Sequence, residues 1–364
     1  MNPIQTRTKQ RILKTVVSRT SFAAAIAISL LVFGVVGLSA SGTQELKKNK
    51  TNLGAVHITF DPSYFFAGVE YNSWDRSYRR ELDNIAREKN VNFIHVEGGL
   101  DFDRSDYAIE ELLDLRVDGI VIFQQDPGIT SGLVKKAQTA GIPVLIHGAR
   151  PQQPMQVPYV DFDEYGSCEE LGKAVAQKFL QEFPGEVARV LVLNSRATPT
   201  YVAREDGFIA GFRSLIPGAW ILNKAQDTGT VDSAAEIAAA NLSQTPRVNV
   251  VFATSDLQAM GALSVLNRLG SGDQERNVIL AGVGGSLEAM RELLQPNSPW
   301  KAEVGLGIRD MAQQSYTVMM GMIKGELPKN QDKEYLIKSP VFVDPTRDQV
   351  QQYLMQNHGE QLPG

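Results

Sequence analysis

Arg204 is the residue of this 364-residue chain whose placement most invites a chemical role. It falls in the first turn of a helix expected over residues 201–215, where Val202, Phe208, Ile209, Phe212 and Leu215 recur at helical spacing. An apolar run of strand type, from Val190 to Leu193, precedes that helix. Between them lies a polar turn over 194–200, in which Pro199 is expected to stop an early helix. A cation in a first helical turn opposes the positive end of the helix dipole. Such a charge is tolerated if it meets a ligand at the strand-end crevice of an α/β sheet. The other local reading is a surface arginine paired with Glu205 or Asp206. Asp256 stands at the start of a second expected helix, where it suits an N-cap or first-turn acid.

The remaining reactive side chains are sparse. Of the four histidines, His57 and His95 lie inside strand patterns, and His147 at a strand end is the one placed to see a crevice. Cys168 is a lone cysteine in a helical pattern and reads as a small core residue. Neither a Cys/His cluster for a metal nor a nucleophile elbow is present, and Gly282, Gly284 and Gly285 lack phosphate-loop spacing and read as a tight turn. No cofactor and no enzyme activity are expected.

The elements that would carry these residues alternate. Strands are expected at 55–60, 92–96, 119–123 and 142–146, with helices at 76–89, 107–115 and 132–139 between them. A short crossing segment at 157–162 and a long helix at 164–183 follow. The alternation then restarts, with strands at 188–193, 220–222, 248–253 and 278–283 and helices at 201–215, 234–242 and 257–269. Two sets of βα units at similar spacing predict an α/β fold of two Rossmann-like lobes with parallel sheets. The tail offers an extended 302–306, a helix at 312–324 and an extended 334–343. These are too few for a third domain, so they return to the two lobes. Several crossings between lobes make a hinge, and a hinge makes a closing cleft.

Composition is that of an ordinary globular protein: 43% hydrophobic, 21% charged and a net charge of −5. With no basic stripe in the body, nucleic acid is not an expected partner. The N-terminus differs from the rest. Arg7, Lys9, Arg11, Lys14 and Arg19 come without an acid among residues 1–21, an apolar run fills 22–38, and small residues follow to Gly42. This pattern suits a secretory signal cut after Ala40 or Ser41, or an uncleaved membrane anchor, and either exports the body of the chain. Residues 42–52 read as a polar linker.

From about Leu53 to Val343 the chain resembles the type I periplasmic sugar-binding proteins, the ribose/galactose-binding class that serves ABC importers. Asn72-Ser-Trp74-Asp75, leading into 79–90, is similar to the family's Asn-Pro-aromatic-aromatic helix start. VDGIVI from Val117 resembles its third strand, and AGIPV from Ala140 its fourth. Ala203 to Phe208 resembles the helix bearing a sugar-binding arginine. The stretch from Val251 through Asp256 resembles the family's strand–helix junction, and 278–285 its next strand. The resemblance implies that Asn72 and Arg204 hydrogen-bond ligand hydroxyls and that Trp74 stacks on a sugar face. It makes Asn72, Trp74, Asp75, His147, Arg150, Arg204, Ser255, Asp256 and Gly284 the candidate ligand-binding residues.

Departures from the family matter too. Ile146-His147-Gly148-Ala149-Arg150 replaces an Asp-Arg pair, so the arginine returns only at Arg150. Ser255 replaces an asparagine, Val283-Gly284 a Phe-Asp, and Leu306 a hinge glutamine. An insertion at 62–71 carries Tyr64, Phe65 and Phe66. These changes suggest a ligand other than plain ribose or galactose: a derivative with fewer hydroxyls or an acidic group, or another small polar metabolite. The expected organisation is a signal or anchor at 1–41, the linker, one lobe from 53–162 plus 306–337, and another from 163–305 plus 338–364. The expected role is a monomeric binding protein, in the periplasm or on the envelope exterior, that hands a sugar or derivative to the permease of an ABC importer. A membrane-anchored sensor signalling to a receptor or kinase is the alternative.

Overall fold

The computed structural model describes residues 50–58, 65–66, 69–70, 72–196, 199–224, 229–243, 247–270 and 277–362. The expected signal or anchor and most of the expected linker lie outside these residues, as does Tyr64. Leu46–Gly364 forms one compact unit.

Two six-stranded sheets organise it. The first is ordered β13-β7-β6-β5-β1-β4 from β1 (Asn52–His57), β4 (Asn92–Glu97), β5 (Gly119–Gln124), β6 (Val144–Gly148), β7 (Tyr159–Phe162) and β13 (Glu334–Ile337), all parallel. The second is ordered β14-β12-β11-β10-β8-β9 from β8 (Arg189–Leu193), β9 (Trp220–Lys224), β10 (Val250–Ala253), β11 (Ile279–Gly284), β12 (Trp300–Gly305) and β14 (Val341–Val343); only β14 runs antiparallel to its neighbour. A small hairpin pairs β2 (Phe65–Phe66) with β3 (Val69–Glu70). Central strands such as β5 and β10 are buried at every position, because helices cover both faces of a parallel sheet.

Helices α1 (Asn72–Lys89), α2 (Phe102–Asp114) and α3 (Pro127–Thr139) belong to the first lobe. Helices α4 (Glu164–Glu182), α5 (Pro199–Leu215), α6 (Val231–Leu242), α7 (Asp256–Gly270) and the short α8 (Leu287–Glu292) belong to the second. The chain then recrosses: α9 (Ile308–Ile323) packs on α1 and the first sheet, and α10 (Arg347–Asn357) buries Val350, Tyr353 and Leu354 in the second lobe. Sheet membership therefore changes after β7, after β12 and between β13 and β14, giving three strands of connection between the lobes.

Three elements differ from expectation. Residues 159–162 are a sheet strand, not a mere crossing. Its four residues alternate in burial, and a pattern that short, flanked by Pro158, gives no continuous apolar run. Pro199 opens α5 instead of delaying it, since the first helical position needs no N–H donor. The C-terminal helix α10 was not expected at all. Its Thr346/Gln349 capping box, with buried residues at 350, 353, 354 and 357, is the local signal for it.

One packing contact bears directly on the cleft. Helices α4 and α5 approach so closely that a Cβ at Gly207 would lie 2.2 Å from the Tyr165 carbonyl, and one at Gly211 1.9 Å from that of Glu169. Glycine at these positions sets the first two turns of α4 against the third and fourth turns of α5.

Candidate ligand-binding cleft

A cleft of about 920 Å³ opens where the strands of both sheets end. The first lobe contributes Trp74, Phe123 and Asp161 to its wall; the second contributes Tyr201, Arg204, Ser255, Asp256 and Gly284.

Trp74 lies in the first turn of α1 with its ring 4.3 Å from that of Phe123 and 4.8 Å from that of Tyr78. The indole is thereby fixed as a flat platform. Tyr78 is buried, and its hydroxyl lies 2.6 Å from His147 Nε2 and 3.0 Å from Ser315 Oγ on α9. His147 Nδ1 faces the Val160 carbonyl, an acceptor only, so Nδ1 carries the proton and Nε2 accepts from Tyr78. Burial holds the His147 pKa down to about 4. His147 thus stands behind the cleft wall as a brace for Tyr78 and Trp74, not in the cleft, as its strand-end position had suggested.

Asp75 also turns inward. It is buried, with Oδ1 3.4 Å from His57 Nδ1; His57 Nε2 lies 2.9 Å from His95 Nδ1, and His95 Nε2 3.0 Å from Asp83. Desolvation lowers the pKa of His57 to about 3 and that of His95 to about 4, so both rings are neutral and their two N–H groups serve two of these three contacts. Arg150 is 45% exposed outside the cleft lining, 2.7 Å from Glu334 and stacked 3.9 Å over the Tyr159 ring. Asn72 begins α1, but its side chain lies outside the described residues, as do those of Phe65 and Phe66.

Arg204 is on the wall and only 6% exposed. Its partner is neither Glu205 nor Asp206. Nε and Nη2 donate to the two oxygens of Glu164 at 2.6 and 2.9 Å, and Nη1 donates to the Thr254 carbonyl at 2.8 Å. Glu205 instead receives Arg196 and Asn194. Burial alone would pull the guanidinium pKa down, but the Glu164 carboxylate outweighs it and leaves it above its ordinary value. Burial lifts the Glu164 carboxyl against the opposing pull of Arg204. Beside them Asp161 accepts from the Gly148 amide, the Tyr159 hydroxyl and the Phe162 amide at 2.6–2.9 Å, and burial raises its pKa as well.

Ser255 and Asp256 sit at the start of α7. Ser255 Oγ donates to Gln258 Oε1 at 3.0 Å. Asp256 Oδ2 accepts from the Ser286 amide at 2.7 Å, and its carboxyl is buried against that of Glu303. Behind it Glu303 is fully buried and accepts from the Gly285 amide and the Trp300 indole at 3.0 Å. Burial and the neighbouring Asp256, with which it shares a side-chain hydrogen bond, push the Glu303 carboxyl well above the usual carboxylate range.

Sequence reasoning missed Asp161, Glu164, Tyr201 and Glu303. The acids at 161, 163 and 164, clustered where the chain leaves the first sheet, were a signal for two of them. Glu303 sits inside an apolar strand pattern, and that anomaly was visible too.

Residues 64–327 match the family described as a periplasmic binding protein domain. The chain belongs to this family. Among curated relatives of this periplasmic binding protein, the ABC transporter periplasmic-binding protein YphF of Escherichia coli is 25% identical over 92% of this chain and 97% of its own length. The ribose import binding protein RbsB of Bacillus subtilis is 23% identical, over 60% of this chain and 67% of that protein. Among solved structures, an ABC transporter periplasmic solute binding protein from Actinobacillus succinogenes with bound D-allose superimposes with a TM-score of 0.68 at 18% identity, covering 84% of this chain and all of the other. That likeness establishes the shared two-sheet architecture of the periplasmic binding protein fold.

Proposed function

We propose that this chain is an exported binding protein that closes on one small polar ligand, a monosaccharide or sugar derivative, and delivers it to the permease of an ABC importer. The observation carrying this reading is the make-up of the cleft. A braced indole platform from one lobe and hydrogen-bonding carboxylates from both line the same space, which suits the C–H face and hydroxyl edge of a sugar ring. The D-allose and ribose named for its relatives are ligands of that chemistry.

In this reading the lobes are 53–162 with 306–337 and 163–305 with 338–364. Closure is a shift in population: contacts from both lobes favour the closed form, and the membrane partner reads that form. Residues 1–41 deliver the body to the periplasm or envelope exterior. Trp74, Arg204, Ser255, Asp256 and Gly284 remain the ligand-facing set, with Asp161 added. Asn72 joins them from the start of α1.

A thermal-shift screen of the full-length protein against neutral sugars, polyols and sugar acids tests the proposal, because a ligand bound only by the folded state raises the melting temperature. A saturable rise with a monosaccharide supports it. Silence across the panel contradicts it. Mass spectrometry of the N-terminus of protein recovered from the envelope tells a cleaved signal from a retained anchor.

A further inference from the structure

We propose that Glu164 is a specificity-determining residue that makes the cleft reject acidic ligands, so that the molecule bound is an uncharged polyol or sugar. This rests on the proposed sugar-binding role and narrows it.

Arg204 is the one buried guanidinium or ammonium among the described residues, and the natural anchor for a ligand carboxylate or phosphate. Here that anchor is already taken. Glu164 meets it fork to fork, at 2.6 and 2.9 Å, in the geometry an anionic ligand would adopt. With Nη1 held by the Thr254 carbonyl, three of the five guanidinium N–H groups are in use and the charge is matched. The N–H groups left over can donate to a neutral hydroxyl. They offer no net positive charge to an anion.

The pair is imposed by the fold. Glu164 is the first residue of α4, after the cap Asp163, and the glycine contacts between α4 and α5 hold that turn against Arg204. Once the two charges cancel, the acids Asp161 and Asp256 remain on the wall. Hydroxyl protons satisfy such acceptors, whereas a ligand carboxylate is repelled by them. Like charges about 4 Å apart in a partly screened site disfavour binding by on the order of a hundredfold or more. The other arginines of the cleft are less buried: Arg76 is exposed to screening by salt, and Arg80 is engaged by Glu81 and by the Asn357 and His358 carbonyls.

Calorimetry on the full-length protein and its Glu164→Gln variant, with D-allose, D-ribose and D-galactose beside D-galacturonate and D-ribonate, tests this. The expected wild-type result is that a neutral sugar binds and the acids bind at least a hundredfold more weakly. In Glu164→Gln the freed guanidinium takes the carboxylate, and the gap narrows tenfold or more. A sugar acid bound by the wild type as tightly as the neutral sugars overturns the inference while leaving the sugar-binding reading intact. So does an unchanged gap in a variant with a normal cooperative melt. Should the variant fail to fold, the wild-type comparison decides alone. Failure of every neutral and acidic sugar to bind the wild type overturns the reading itself and the inference with it.

Discussion

The backbone of Gly284 passes so close to Asp256 that a Cβ at position 284 would lie 2.6 Å from the aspartate Cγ. The acid of α7 therefore occupies the room a side chain at the end of β11 would need. Gly284 also has φ near +153°, a conformation that side chains rarely adopt. Gly284→Ala is expected to cost about 2 kcal/mol of stability from strain alone. It should also weaken ligand binding roughly tenfold by displacing the Asp256 carboxylate, an interaction worth about 1–2 kcal/mol. Urea unfolding and calorimetry on the same variant check both. An unchanged affinity would mean that Asp256 does not touch the ligand.

Acid should act through the neutral buried histidines. The folded-state pKa of His147 is held near 4, below the usual histidine value of about 6.5. Between those values the unfolded chain binds the proton and the folded one does not. The stability from a neutral His147 is thus fully present above pH 6.5 and is lost as pH falls toward 4, by up to about 1.4 kcal/mol per pH unit. Asp161, Glu164 and Glu303, whose pKa values are raised, work in the opposite sense. The informative quantity is therefore a difference. His147→Gln should show a shallower loss of stability between pH 6.5 and 5 than the wild type in urea titrations, and equal slopes would refute the role.

Arg80 reaches from α1 in the first lobe to the C-terminal end of α10 in the second, donating to the Asn357 carbonyl at 2.6 Å and to that of His358. A cation at a helix C-terminus interacts favourably with the dipole, by about 1 kcal/mol. Arg80→Ala should loosen the lobes, raising the radius of gyration of the unliganded protein in small-angle scattering and weakening ligand binding about fivefold. Identical scattering curves would show that the contact does not restrain the lobes.

The two-lobe fold is legible because parallel strands buried on both faces leave unmistakable apolar runs, as at 119–123 and 190–193, spaced by amphipathic helices. What escaped was short or non-local. Four-residue β7 alternates without a run, and α10 is mostly polar apart from its buried stripe. The candidate site was only partly legible for the same reason. Arg204 can be picked out from an expected first-turn position, which the start of α5 at Pro199 moves into the second turn. Its partner Glu164 lies 40 residues away and meets it only because glycines bring α4 and α5 together. His147 and Asp75 sit at the right ends of the right elements, yet their side chains turn into the core. One residue of orientation separates a cleft wall from the packing behind it, and periodicity does not resolve that.

Bridging of one ligand by both lobes is tested most directly by calorimetry on Trp74→Ala and Asp256→Asn with the sugar that raises the melting temperature. Trp74 belongs to the first lobe, where it packs on Phe123 and Tyr78, and Asp256 to the second, so Trp74→Ala should also lower the melting temperature whereas Asp256→Asn keeps the side-chain shape. Loss of a stacking platform or of a charged acceptor is each worth about 1–3 kcal/mol. Both variants should therefore bind tenfold or more weakly while melting as cooperatively as the wild type. Undiminished affinity in either one would contradict a ligand held between the lobes.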